Sequence, residues 1–293
     1  MIIRPMENWF RMLLTWHGSV LPSILPQLAL MLVVSMVALL GKRVPLETAP
    51  FSLLGVSLAI FLAFRNNASY QRYLEARQLW GNVLISGRTL VSQALAYLAA
   101  SRCDHKLCAR QVIVFAHLLR HQLRGSDPRQ DVERLLGAET AARLLQQAYR
   151  PVSLLLELRR EMNAAADGHA LWMLDTQLNA LSNAVGGCER IAGTPIPYPY
   201  AVLLHRTIYL YCFLLPFGLV HAIGAATPVM AVFVAYTLFA LEAIAQEIGD
   251  PFGTQPNSLA LEAMCRTIER SMLELCGEPL PAELTAGKDC RIN

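Results

Sequence analysis

The stretch GVSLAIFLAF, residues 55–64, is apolar enough for a membrane helix, yet small and bulky residues alternate along it with an unusual regularity. Val56, Ile60 and Phe64 recur at every fourth position and share one helix face, with Gly55, Ser57, Ala59 and Ala63 beside them. Either this bulky stripe meets lipid, or it meets something narrower while the small residues let neighbouring helices close in.

The rest of the chain places that stretch. The 293 residues are 54% hydrophobic and 16% charged, against about 25% charged in ordinary soluble domains. Four apolar runs account for the deficit: about 24–41, 49–64, 200–223 and 226–246. A membrane-spanning helix needs about 20 apolar residues. The first, third and fourth runs qualify. The second is marginal and continues into Arg65-Asn66-Asn67, so that a span of about 49–70 suits a helix lining a polar path better than one facing lipid. Met1–Gly18 has no long apolar core of the kind a cleaved leader needs. The arginine-rich segment 65–199 and the charged C-terminal tail belong on the cytoplasmic side by the distribution of basic residues, which puts both termini there. Lys42 and Arg43 then fall outside, a mild departure from that rule.

Between the two pairs of spans the pattern is helical throughout. Residues 71–100 carry helix-period apolar positions without proline and extend the second span. Further helices are expected at 107–124, from Pro128 to about Leu136, at 139–149, 151–165 and 169–190, and at 258–277 after a turn-rich link, Asp250–Pro256. No strand signal occurs. The expected architecture is all-α: four transmembrane helices on a helical cytosolic region (about 71–199 and 247–293), the chain 1–293 forming one interleaved unit. One subunit with a single marginal span cannot enclose a path alone, whereas a cyclic oligomer can.

Candidate chemistry is sparse. His117 and His121 stand four apart, but Leu118 occupies the position at which a zinc protease carries glutamate, so amphipathic surface histidines are the better reading. Glu242, Glu247 and Asp250 end the fourth span, where solvation is expected to hold them; His205 and Arg206 start the third. Cys103, Cys108, Cys188, Cys212, Cys265, Cys276 and Cys290 make no metal-binding spacing and read as reduced thiols and core fillers. No phosphate loop, nucleophile elbow or carboxylate pair points to an enzyme. Neither a cofactor nor a metal site is expected, and a net charge of +3 without an aromatic-basic motif gives no reason to expect nucleic acid.

Four motifs coincide in order: WHGS at 16–19, the run Pro50–Gly81, GGCERIAGTPIPYPY at 186–200 and DPFGT at 250–254. Together they resemble the bacterial members of the bestrophin family over nearly the whole chain. The resemblance implies a homopentamer in the bacterial inner membrane, surrounded by lipid, with a single axial pore for monovalent ions. The second span would line a neck, its apolar rings falling on Val56, Ile60 and Phe64. A second, cytosolic constriction counts to His169, or to Ala170 with a one-residue slip. Animal bestrophins follow Pro-Phe-Gly with acidic residues that help to bind activating calcium. Here Thr254–Ser258 offers no carboxylate, so no calcium clasp is expected. Animal members are chiefly anion channels and close bacterial relatives are described as passing cations. The neutral neck does not choose, and Lys42, Arg43 and Glu47 point both ways, so the lean to cations rests on closeness of kind, with an anion channel, a carrier or a scaffold as alternatives.

Overall fold

The computed structural model describes residues 10, 16, 18–41 and 46–287. Lys42, Arg43, Cys290 and His17 of the WHGS motif lie outside them. The described residues form ten α-helices and no strand: α1 (Leu21–Gly41), α2 (Thr48–Tyr97), α3 (His105–Arg124), α4 (Arg129–Leu136), α5 (Ala138–Leu145), α6 (Arg150–Ala165), α7 (Gly168–Gly193), α8 (Tyr198–Ile223), α9 (Thr227–Gly249) and α10 (Leu261–Leu275). The helix expected at 139–149 ends at Leu145. The second span does continue without a break, as a helix of 50 residues.

Two compact units divide the chain. The first holds the described residues of 10–73 together with Pro195–Pro251 and contains the apolar helices. By length and hydropathy, three stretches of the described residues can cross a membrane: Leu21–Gly41, part of Ala49–Tyr97, and Tyr198–Gly249. The last consists of two helices, because Gly224 ends α8 with φ 54° and ψ −123°, a conformation that only glycine adopts readily. Thr227 Oγ1 then donates to the Gly224 carbonyl at 2.7 Å, Pro228 opens α9, and α8 and α9 pack against each other. Hydroxyls in these helices return to their own backbone, as Ser35 does to the Met31 carbonyl at 2.6 Å. That satisfies them where no water is at hand. The core gathers Met31, Leu58, Leu62, Ile208, Leu215 and Phe239. Two glycines set its closeness: a Cβ on Gly55 would lie 2.8 Å from Tyr211 Oη, and one on Gly218 would lie 2.6 Å from the Phe51 ring.

The second unit holds Leu74–Thr194 and residues 252–287. Its centre is α3, started by Asp104, whose carboxylate accepts from the backbone of Lys106 and Leu107, and stopped by Gly125 at φ 61°. Helices α4, α6, α7 and α10 pack around it. Val112, Ile113, Phe115 and Leu119 are covered completely.

Candidate pore-lining site

Along the apolar half of α2 the buried positions are Leu58, Leu62, Arg65 and Ser69, spaced four, three and four residues apart. That spacing is one helical stripe, and it faces the protomer's own α8 and α9 through Leu204, Ile208 and Phe239. Val56 and Ile60 each precede a buried leucine by two residues, about 200° around the helix. They lie on the opposite face, and Phe64 continues it. Their exposures are 62% for Val56, 50% for Ile60 and 63% for Phe64. Among the described residues of the protomer, nothing covers this apolar stripe.

Just beyond Phe64 the character of α2 changes. Arg65 is buried, and its Nη1 donates to Glu242 Oε1 at 3.4 Å. His205 Nδ1 lies 2.8 Å from the same oxygen. Glu242 is therefore not held by solvation at a helix end: it is 7% exposed and sits between two basic groups. Tyr200 Oη donates to the Phe61 carbonyl at 3.2 Å, and Arg72 Nε to the Gly249 carbonyl at 3.1 Å. Glu247 is half-buried and Asp250 exposed.

In the second unit Asp167 starts α7 by accepting from the backbone of Ala170 at 3.0 Å. The two candidates for a constriction then separate. His169 projects from the protomer surface and Ala170 is covered, at 9% exposure. Trp172, one turn on from His169, is 75% exposed.

His117 and His121 are not surface histidines. Both are buried, and both turn toward Asp131 on α4. His121 Nε2 lies 3.0 Å from Asp131 Oδ2 and its Nδ1 lies 2.7 Å from Ser126 Oγ. His117 stands between two carboxylates, with Nδ1 3.3 Å from Asp131 and Nε2 3.8 Å from Glu269 on α10. These are charge contacts without hydrogen-bond geometry, since neither ring nitrogen has an aligned partner. Burial alone would lower the His117 pKa, but Asp131 and Glu269 outweigh it and the net direction is upward. Burial likewise opposes ionisation of Glu269, yet His117 and Arg134 bring it down to about 2. Asp131 is held well below the usual carboxylate range by His117, His121 and Arg120 against its own desolvation. Among the described residues no group of three or more histidine, cysteine or acidic side chains is arranged to hold a metal ion. Burial pushes Cys188 and Cys265 up to about 12, as suits inert core thiols.

The Pro-Phe-Gly loop has a cation of its own. Arg124, at the end of α3, donates to the carbonyls of Phe252 at 3.3 Å, Gly253 at 3.4 Å and Leu259 at 3.1 Å. Sequence reasoning gave no role to Arg124 or Tyr200, and took Arg65 only as the polar continuation of the second apolar run. A charged residue directly after an apolar run, with an acid in another apolar run, was the available signal for Arg65.

Comparison with known proteins identifies the family of the chain. Residues 1–274 match the family described as "Bacterial/Fungal Bestrophin protein". A voltage-dependent anion channel-forming protein of Ralstonia nicotianae is 48% identical over 95% of each chain. The voltage-dependent anion channel-forming protein YneE of Escherichia coli K12 is 40% identical over 97% of each. The crystal structure of a bacterial bestrophin homologue from Klebsiella pneumoniae superimposes with a TM-score of 0.85 at 40% identity, covering 87% of this chain and 99% of that one. The chain belongs to the bacterial and fungal bestrophin family.

Proposed function

We propose that this bestrophin-family chain assembles as a homopentameric ion channel whose neck is lined by Val56, Ile60 and Phe64. The observation that carries the reading is the opposition of faces on α2: a buried stripe through Leu58 and Leu62, and an uncovered apolar stripe opposite it. Around a symmetry axis that second stripe becomes stacked apolar rings. Such a constriction stops ions by excluding water when narrow and passes them when it wets. The large apolar side chains exposed elsewhere on the spans, such as Val33, Leu203, Val229 and Phe233, meet lipid or the adjoining subunit. We place the channel in the bacterial inner membrane with both termini on the cytoplasmic side, following the basic residues of the segment 65–199. The cytosolic constriction is assigned to His169 in preference to Ala170, because the histidine side chain is the uncovered one.

The permeant species are monovalent ions, and the reading from family resemblance favours cations. A specific observation favours the second reading: relatives at 48% and 40% identity are named as anion channel-forming proteins. An apolar neck takes no side. Calcium activation is not expected, since the carbonyls of Phe252, Gly253 and Leu259 already engage the guanidinium of Arg124. Calcium prefers six to eight oxygens, including carboxylates.

The test is electrical. Purified protein in planar bilayers is expected to give unitary current steps, and reversal potentials in asymmetric NaCl assign the sign of the permeant ion. Replacing Val56, Ile60 and Phe64 together by alanine is expected to raise open probability or conductance. Unchanged currents from assembled triple variant would remove the neck from these positions.

A further inference from the structure

We infer that the buried pair Arg65–Glu242 is a positioning device for the neck: it clamps the turn of α2 that carries Phe64 to the two helices behind it. The inference rests on the neck reading above and adds to it what holds the neck still.

Among the described residues of the membrane unit, Arg65 and Glu242 are the two buried side chains of the strongly ionised types. They are buried together, each with a side chain 9% exposed. An ion pair in an apolar unit is a weak source of net stability, because desolvation consumes most of its Coulombic gain. Such a pair is better understood by what it fixes. Arg65 directly follows Phe64, so the guanidinium sets both the rotation and the height of α2 at that ring. Glu242, on α9, holds Arg65 from one side and His205 of α8 from the other. Tyr200, also on α8, donates to the carbonyl of Phe61 in the same turn. One turn of α2, residues 61–65, is thus gripped through a side chain and through a backbone oxygen by both neighbouring helices. Because the pair lies on the buried stripe, it does not face the conduction path and does not itself select ions.

A neck whose turn is clamped switches slowly between wetted and dewetted arrangements. Releasing the clamp lowers the barrier in both directions. The deciding variant is Arg65→Met with Glu242→Met, which removes the pair without leaving an unpaired buried charge. In planar bilayers we expect open and closed dwell times shortened by about three-fold or more, with unitary conductance and reversal potential as in the parent. Arg65→Lys, which keeps a cation against Glu242 and leaves His205 its carboxylate, is expected to hold dwell times closer to the parent than the double-methionine variant does, a difference that a loss of packing alone does not give. Parental kinetics in the double-methionine variant would overturn the inference, and so would equal dwell times in Arg65→Lys and the double-methionine variant. The alanine variant of Val56, Ile60 and Phe64, recorded alongside, separates the two readings. If it alters currents while the methionine variant does not, the neck stands and the clamp falls. If it alters nothing, the neck itself is misplaced and the clamp falls with it.

Discussion

The long helix α2 lives in two environments, and the contrast between its halves is the most instructive feature of the chain. From Trp80 to Ala94 it is helix as found inside a soluble domain: Trp80, Val83, Leu90, Val91 and Ala94 are covered by the unit's own side chains, and Ile85 is an exposed exception. Between Phe51 and Phe64 the protomer covers only the stripe through Leu58 and Leu62, while Leu53, Val56, Ile60, Phe61 and Phe64 stay exposed. Both halves are rich in apolar residues. What differs is who supplies the cover. The second half is completed within its own chain, whereas the first keeps an apolar face that the described residues of the protomer leave uncovered. Apolar surface of this kind left in water marks a contact to be made elsewhere.

The largest expected effect breaks the symmetry of those faces directly. Leu58→Ala or Leu62→Ala empties a filled core site and should cost about 2–5 kcal/mol each. Val56→Ala, Ile60→Ala and Phe64→Ala remove nothing from that core and should leave protomer folding near the parent while changing current. Thermal unfolding in detergent beside bilayer recording reads both. If the two sets lower stability equally, the exposed stripe is core in the assembly and the neck reading fails.

The second contrast lies between the buried charges of the two units. Arg65 and Glu242 sit in an apolar surround, whereas His117, Asp131 and Glu269 form a network joining α3, α4 and α10. The network predicts a stability profile with two limbs. Glu269 and Asp131 titrate below their ordinary ranges, so their contribution is present above the unfolded carboxylate range and is lost as pH falls. For Glu269 that loss runs from about 4.5 toward about 2 and is on the order of 3 kcal/mol. The His117 pKa is raised, so its contribution is complete below the unfolded imidazole value of about 6.5 and fades as pH rises through the higher folded value. Stability should peak in mildly acid solution, and His117→Gln should flatten the alkaline limb. An unchanged alkaline limb in that variant would show that the imidazole is uncharged in the fold.

A smaller effect is expected at Arg124, where one guanidinium gathers three carbonyls. Arg124→Gln should lower stability by about 1.5–3 kcal/mol, the scale of hydrogen bonds to a charged group. Micromolar calcium should leave parental currents unchanged. Saturable activation reversed by chelator would mean that calcium finds another site.

The sequence made the helices legible because apolar runs and helix-period patterns are local properties. The shared face of Val56, Ile60 and Phe64 followed from fourfold spacing alone, whereas the buried stripe opposite it needed the fold. What stayed hidden was pairing across distance. Arg65 meets Glu242 from 177 residues away, and no local pattern announces that. His117 and His121 looked like the polar edge of an amphipathic helix, since their partners Asp131 and Glu269 lie on other helices. In each case the residue type was visible and the partner was not.

The smallest expected effect concerns His169. Its place at the start of α7 is fixed by Asp167, whose carboxylate caps the helix through Ala170 N. That cap turns Ala170 inward and leaves His169 outward. If five such imidazoles face one another across the axis, they form a narrow polar ring at the exit. His169→Ala shortens those side chains and is expected to change unitary conductance or relative ion permeability. Ala170→Ser is the companion variant, since it adds a hydroxyl at the covered position and should leave permeation as in the parent. If instead Ala170→Ser alters permeation while His169→Ala does not, the constriction lies one residue further on, and α7 turns its covered face to the axis.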